Sequence, residues 1–227
     1  SKIYDFYLVE IETEEEYNTA FDSILPDAVL YNYYPIILPF ITDDFLINKR
    51  HIPHLVIFHE LWTNFTPDGI FDVDSTKPEN PDLNHFTLPR PIFEDFNSKD
   101  LFQNEIPTIG SFGFGFPDKN FSKIAELVCE QFDKAKIRLN IPFAEFGDQD
   151  GSKAKEEANK VKNIIDNSGK NIQLEVSHNF LNHEDILNFL HQNDINLFLY
   201  DPHETRSLSS TIDYALSVKK PLFLKLA

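Results

Sequence analysis

The stretch Thr108-Ile109-Gly110-Ser111-Phe112-Gly113-Phe114-Gly115-Phe116-Pro117-Asp118-Lys119-Asn120, running on into Phe121–Phe132, decides the fold. It begins as a short apolar run and then turns on glycine. It resumes with Phe121, Ile124, Ala125, Val128 and Phe132 at helical spacing. A strand, a glycine-rich turn and a helix form the repeating unit of a wound parallel sheet.

Downstream the alternation continues. Strand Ile137–Ile141 leads to helix Ser152–Asp166, with Ala154, Ala158, Val161 and Ile165 on one face. Strand Ile172–Val176 leads to a helix from Asn182, with Glu184 and Asp185 in its first turn. Strand Ile195–Tyr200 leads to helix Ser209–Val218, and Pro221–Leu224 closes the series. This pattern predicts an open parallel sheet covered on both faces, with ligands beyond the carboxyl ends of its strands.

Upstream, Ala28–Tyr34 and His54–His59 read as buried parallel strands, and Tyr4–Ile11 as a weaker one. Thr13 followed by Glu14, Glu15 and Glu16 is a helix start, with the helix running to Ile24. Between residues 61 and 107 lie six prolines with Asp/Asn clusters, which predicts a long irregular connection. The expected organisation is α/β with two Rossmann-like domains. Residues 1–106 form an incomplete N-terminal domain with its Pro-rich connection, and 107–227 form the second domain.

Composition narrows the partners. The 227 residues carry 20 Lys+Arg against 37 Asp+Glu, a net charge of −17. That balance argues against nucleic acid and against charge-driven docking on an anionic membrane. No apolar run is long enough to span a bilayer, and no secretory signal is visible, so a cytoplasmic protein is expected. The single cysteine, Cys129, excludes an internal disulfide and a cysteine-based zinc site.

Two loops carry chemistry. In the first, three of the seven glycines fall between Gly110 and Gly115, and Lys119 follows. Such a turn suits a phosphate, although the spacing matches neither a Walker loop nor the dinucleotide fingerprint. A tight turn with aromatic packing explains the same residues. In the second, Asp201–Asp213, the residues Ser209, Ser210 and Thr211 open a helix, Arg206 adds a planar cation, and Glu204 and Asp213 add acceptors. Solvated charges around a helix cap are the plainer explanation.

Together the loops resemble the nucleotide-sugar domain of GT-B fold glycosyltransferases, in particular the retaining family-4-like group. That group carries a Gly-Arg-x-x-Pro-x-Lys-Gly loop. Here Gly113, Pro117 and Lys119 stand in its place, with Phe114 where the arginine falls. The family's paired acids, with seven residues between them, correspond to Glu204 and Asp213, which have eight residues between them. The resemblance implies diphosphate binding by Gly113, Lys119, Arg206, Ser209, Ser210 and Thr211, and ribose binding by Asp213. It implies catalytic roles for His59, at the end of a strand, and for Glu204. Arg90 would reach toward the cleft. The implied activity is sugar transfer in carbohydrate biosynthesis. The donor is a nucleotide-sugar co-substrate and the acceptor a saccharide or other hydroxyl compound, with neither metal nor cofactor. The absence of a glycine-rich turn before Tyr4 and of a helix after Leu224 leads us to expect an abridged or reduced relative. The missing arginine and the altered acid spacing support an alternative, a non-catalytic nucleotide-sugar-binding or interaction protein with the same fold.

Other residues carry less. His51, His54 and His59 do not suit a shared metal, because His54 and His59 face opposite sides of a strand. His178 follows a strand on the ligand side. Cys129 packs within a helix. Phe112, Phe114 and Phe116 offer rings to a base or to the core. No Gly-x-Ser-x-Gly elbow is present, so a hydrolase is not supported.

Overall fold

The computed structural model describes residues 10–33, 39–48, 51–58, 67–72, 82, 84–88, 92–93, 96, 104–144, 147–201 and 209–225. These fall into two compact units, residues 10–88 and 92–225.

In the first unit, α1 (Glu14–Ile24) starts at Thr13 with a full capping box. Thr13 accepts from the Glu16 amide, and the Glu16 carboxylate accepts from the Thr13 amide. Four parallel strands, β1 (Val29–Tyr33), β2 (His54–Phe58), β3 (Gly69–Asp72) and β4 (His85–Thr87), lie in sequential order. The last two strands come from the region read as an irregular connection. A further helix, α2 (Asp43–Asn48), was not evident from periodicity. The core is Tyr31, Ile41, Phe45, Leu46 and Val56, on one face of the sheet. On the other face Leu30 and Phe86 are exposed. His54 is buried, and its ring accepts or donates a 3.0 Å hydrogen bond with the Tyr31 hydroxyl, which lies 2.8 Å from that of Tyr17. The expected strand Tyr4–Ile11 lies mostly outside the described residues, as does His59.

The second unit follows the sequence closely. Its elements are β5 (Thr108–Phe112), α3 (Phe121–Gln131), β6 (Lys134–Asn140), α4 (Ser152–Ser168), β7 (Asn171–Ser177), α5 (His183–His191), β8 (Ile195–Phe198), α6 (Thr211–Ser217) and β9 (Leu222–Leu224). The five strands are parallel, in the order β7-β6-β5-β8-β9. The unit already includes residues ahead of 107. Phe93 and Phe96 pack on its core, and the Phe93 amide donates to Ser217 Oγ at 2.9 Å.

Helices α3 and α4 bury one face through Ile109, Phe121, Ile124, Val128, Ile137, Leu139, Val161 and Leu197. Helices α5 and α6 bury the other through Phe112, Leu187, Leu190, Phe198, Ala215 and Val218. Coverage of this second face is incomplete, which corrects the expectation of a fully sandwiched sheet. Lys134 on β6 and Asn171, Gln173 and Glu175 on β7 are exposed there. The reason is written in β6 and β7, where polar and apolar residues alternate as in a half-solvated sheet.

Candidate functional site

Strand order reverses between β5 and β8. The chain winds from β5 to β6 and β7 on one side, and to β8 and β9 on the other. The crevice beyond the carboxyl ends of such a strand pair is where wound α/β sheets hold ligands. Both loops singled out from the sequence leave from this point.

After β5, Gly113 adopts φ +151°, and its amide donates to Asn140 O at 3.1 Å. A Cβ there would lie 2.6 Å from Tyr200 Oη, so both backbone angle and space require glycine. The other two glycines of the turn serve the protein's own packing. A Cβ on Gly110 would meet Asn193 at 1.8 Å, and one on Gly115 would meet the Ala154 backbone at 2.4 Å. A single 3₁₀ turn, Pro117–Lys119, follows, closed by Asn120 in the left-handed region.

That turn is tied to the end of β8. The Asp201 amide donates to Asp118 O at 2.8 Å, and Asn120 Nδ2 donates to Leu199 O at 2.8 Å. Lys119 Nζ consequently sits 3.9 Å from the centre of the Tyr200 ring and 3.4 Å from Asp118 Oδ2. The Tyr200 hydroxyl donates to Phe112 O at 2.7 Å. It lies 3.3 Å from Thr211 Oγ1, which is in turn 3.1 Å from Ser209 Oγ. Burial pushes the ionisation of Tyr200 well above the usual tyrosine range. Asp201 is held down to about 2, chiefly by its hydrogen bond with Lys225 and then by Asn120 and the Lys123 charge.

The structure therefore brings Gly113, Lys119, Ser209 and Thr211 together around Tyr200. Ser210 precedes α6 and makes no side-chain cap. The amides of Ile212 and Asp213 donate to Ser209 O and Ser210 O, so these two turn back into the chain. Asp213 is only 3% exposed. His59, Arg90, Glu204 and Arg206 lie outside the described residues. His178 Nδ1 is 2.7 Å from Ile141 O, and its ring lies against Phe143. Of the loop phenylalanines, Phe112 is buried, and the Phe116 ring faces the Lys153 ammonium at 5.3 Å. The sequence does not single out Tyr200, because it reads as the last apolar residue of a strand. An aromatic hydroxyl at a strand's carboxyl end is the signal that marks it.

Among the described residues, no group of three His, Cys, Asp or Glu side chains is placed to hold a metal ion. No helix among them is long and apolar enough to cross a membrane.

No protein-family model matches the chain, and no curated protein matches it by sequence. Solved structures do match by fold. A glycosyltransferase from Rickettsia africae superposes with a TM-score of 0.66 at 14% identity, over 92% of this chain and 60% of its own. A trehalose-6-phosphate protein from E. coli, bound with UDP-2-fluoro glucose, gives 0.65 at 10% identity, over 92% and 62%. Anabaena HepE in complex with UDP-glucose gives 0.60 at 12% identity, over 92% and 62%. The fold is that of GT-B glycosyltransferases, in two Rossmann-like α/β units with parallel sheets. The chain spans about 60% of the length of these proteins.

Proposed function

We propose that the second unit binds a nucleotide-sugar donor and that the protein transfers its sugar to a hydroxyl acceptor, in the manner of retaining family-4-like GT-B enzymes. The observation that supports this reading most is the meeting of Lys119 and Thr211 on one tyrosine at the carboxyl end of β8. Structural neighbours solved with UDP-glucose or UDP-2-fluoro glucose make a uridine diphosphate sugar the first donor to test.

The chemistry asked of the site is charge stabilisation. As the glycosidic bond to the donor breaks, the leaving diphosphate gains negative charge. Lys119, Arg206, the Thr211 hydroxyl and the amides at Ser210 and Thr211 are the groups assigned to receive it. Gly113 serves the site by leaving room for the Tyr200 hydroxyl beside the turn. Such cationic groups take the place of a metal ion. By resemblance His59 and Glu204 face the donor sugar and Asp213 the ribose.

Calorimetric titration with UDP and UDP-glucose tests the reading. Lys119→Ala is expected to weaken both by about tenfold, the scale of one lost charge-assisted hydrogen bond. Absence of binding by the unaltered chain would sink it. A second reading, a binder without transferase activity, is favoured by Phe114 in the arginine's place and by the inward-turned amides of Ile212 and Asp213. Binding without release of UDP, with a panel of sugar and alcohol acceptors present, selects that alternative.

A further inference from the structure

The groups assigned to the diphosphate are arranged around a side chain that carries no charge. Tyr200 meets the glycine turn, the lysine and the start of α6 at once. Its ring lies under the Lys119 ammonium at 3.9 Å. Its hydroxyl donates to Phe112 O, the last carbonyl of β5, and sits 3.3 Å from Thr211 Oγ1. The missing Cβ of Gly113 leaves the space that this hydroxyl occupies.

Each contact restrains something a diphosphate site needs. A lysine stem has four rotatable carbons and loses entropy when its ammonium is fixed. The negative face of an aromatic ring attracts that ammonium and narrows its range. The ring's attraction is weaker than an ion pair with a phosphate, so the ring places the ammonium without competing with that anion for it. The hydroxyl's two hydrogen-bond contacts set the spacing between the turn after β5 and the loop after β8. Asp118, 3.4 Å from the same ammonium, adds a second restraint.

We propose that Tyr200 is a positioning residue for the donor diphosphate: its ring sets where the Lys119 ammonium sits, and its hydroxyl sets Thr211 against the glycine turn. This rests on the sugar-donor reading above. The ring acts through Lys119, and ring and lysine therefore behave as one unit toward a diphosphate, while the hydroxyl acts through Thr211.

The full chain is compared with Tyr200→Phe, Tyr200→Leu, Lys119→Ala and the Leu/Ala double variant. Inorganic pyrophosphate and UDP are the probes, titrated by calorimetry. The ε-methylene proton shifts of Lys119 are read by NMR. In the unaltered chain and in Tyr200→Phe these protons are expected upfield, under the ring, and in Tyr200→Leu they return to ordinary lysine values. Pyrophosphate affinity is expected to fall about fivefold in Tyr200→Leu and about twofold in Tyr200→Phe, the scale of a lost cation–π contact and of a lost hydroxyl contact. Once Lys119 is Ala, Tyr200→Leu is expected to cost only the twofold that belongs to the hydroxyl. An equal loss with and without Lys119 overturns the proposal, because a merely structural tyrosine gives that result. Unchanged affinity with the ring shift lost also overturns it. An unaltered chain that shows the ring shift but binds neither probe sinks the donor reading, and the proposal with it. If Tyr200→Leu does not fold, Tyr200→Met is the second ring-less variant and is held to the same outcomes.

Discussion

Gly110 and Asn193 compete for one volume. A Cβ on Gly110 would lie 1.8 Å from Asn193 Nδ2, and Asn193 is fully buried. Its amide donates to Asn196 Oδ1 at 2.9 Å, and its Oδ1 accepts from Arg138 Nη1 at 3.0 Å. Arg138 also reaches Gln192 Oε1 and Glu175 Oε1. Glu175, Arg138, Gly110 and Asn196 are register neighbours across four strands. A polar row thus crosses the sheet, and the chain leaving α5 folds down onto it where the glycine permits.

Gly110→Ala is therefore expected to destabilise the second unit by about 3 kcal/mol, through overpacking and the displaced asparagine. Hydrogen exchange of the Ile137 and Leu139 amides, in the middle of β6, reads this without interference from the first unit. Unchanged protection there would mean that Asn193 moves aside freely.

Helix α4 gives a second expectation. Its N-cap, Gly151, has no side chain to offer. Asp148 reaches forward instead. Its Oδ1 accepts from the Lys153 amide at 2.8 Å and its Oδ2 from the Ala154 amide at 3.0 Å. The carboxylate also sits at the positive end of the helix dipole. Asp148→Ala is expected to remove about 1–2 kcal/mol. The melting temperature should fall by a few degrees, and exchange in the first turn of α4 should speed up. Asp148→Asn, which keeps an acceptor, should lose less. Equal losses would place the effect elsewhere.

These two features show what was legible. The faces of α3 and α4 follow from the spacing of Phe121, Ile124, Val128, Val161 and Ile165, and all five are buried. The order of elements in the second unit follows from their alternation. The Asp148 cap was not legible, because the aspartate lies three residues before the N-cap and a left-handed glycine intervenes. Strands β3 and β4 are four and three residues long, too short for a period to emerge among prolines and asparagines. The half-open face of the sheet was legible, since Lys134-Ala-Lys-Ile-Arg and Asn171-Ile-Gln-Leu-Glu alternate cleanly. The general habit of parallel sheets to be covered on both faces outweighed that signal. Gly113, Lys119 and Thr211, which meet at Tyr200, are singled out by the sequence. Their common partner Tyr200 is not, because no local pattern tells which strand will lie next to which.

Ser111 offers a prediction of opposite sign. It is fully buried, and its hydroxyl has no hydrogen-bond partner among the described residues. A hydroxyl left without a partner in an apolar interior is destabilising. Ser111→Ala should raise the stability of the second unit by roughly 1 kcal/mol, since it removes one oxygen and leaves little void. The readout is the urea midpoint at unchanged m-value. A loss of stability would mean that the hydroxyl makes an interaction in solution.

The last expectation concerns acid. Asp201 follows Tyr200, and its Oδ1 lies 2.6 Å from Lys225 Nζ and 3.7 Å from Lys123 Nζ. Its carboxyl titrates at about 2 in the folded protein, held down first by the hydrogen bond with Lys225. The unfolded chain takes up the same proton at ~3.9. Because the folded value is the lower one, this pair supports the fold fully above the unfolded value. That support is lost as pH falls from there through the folded value. The carboxylate is well exposed, so the contribution is small and weakens with salt. Carboxyl-carbon NMR should give an Asp201 midpoint near 2 at low salt, and Lys225→Ala should raise it toward the ordinary aspartate range. An ordinary midpoint in the unaltered chain would show that β9 does not bring Lys225 to the end of β8 in solution.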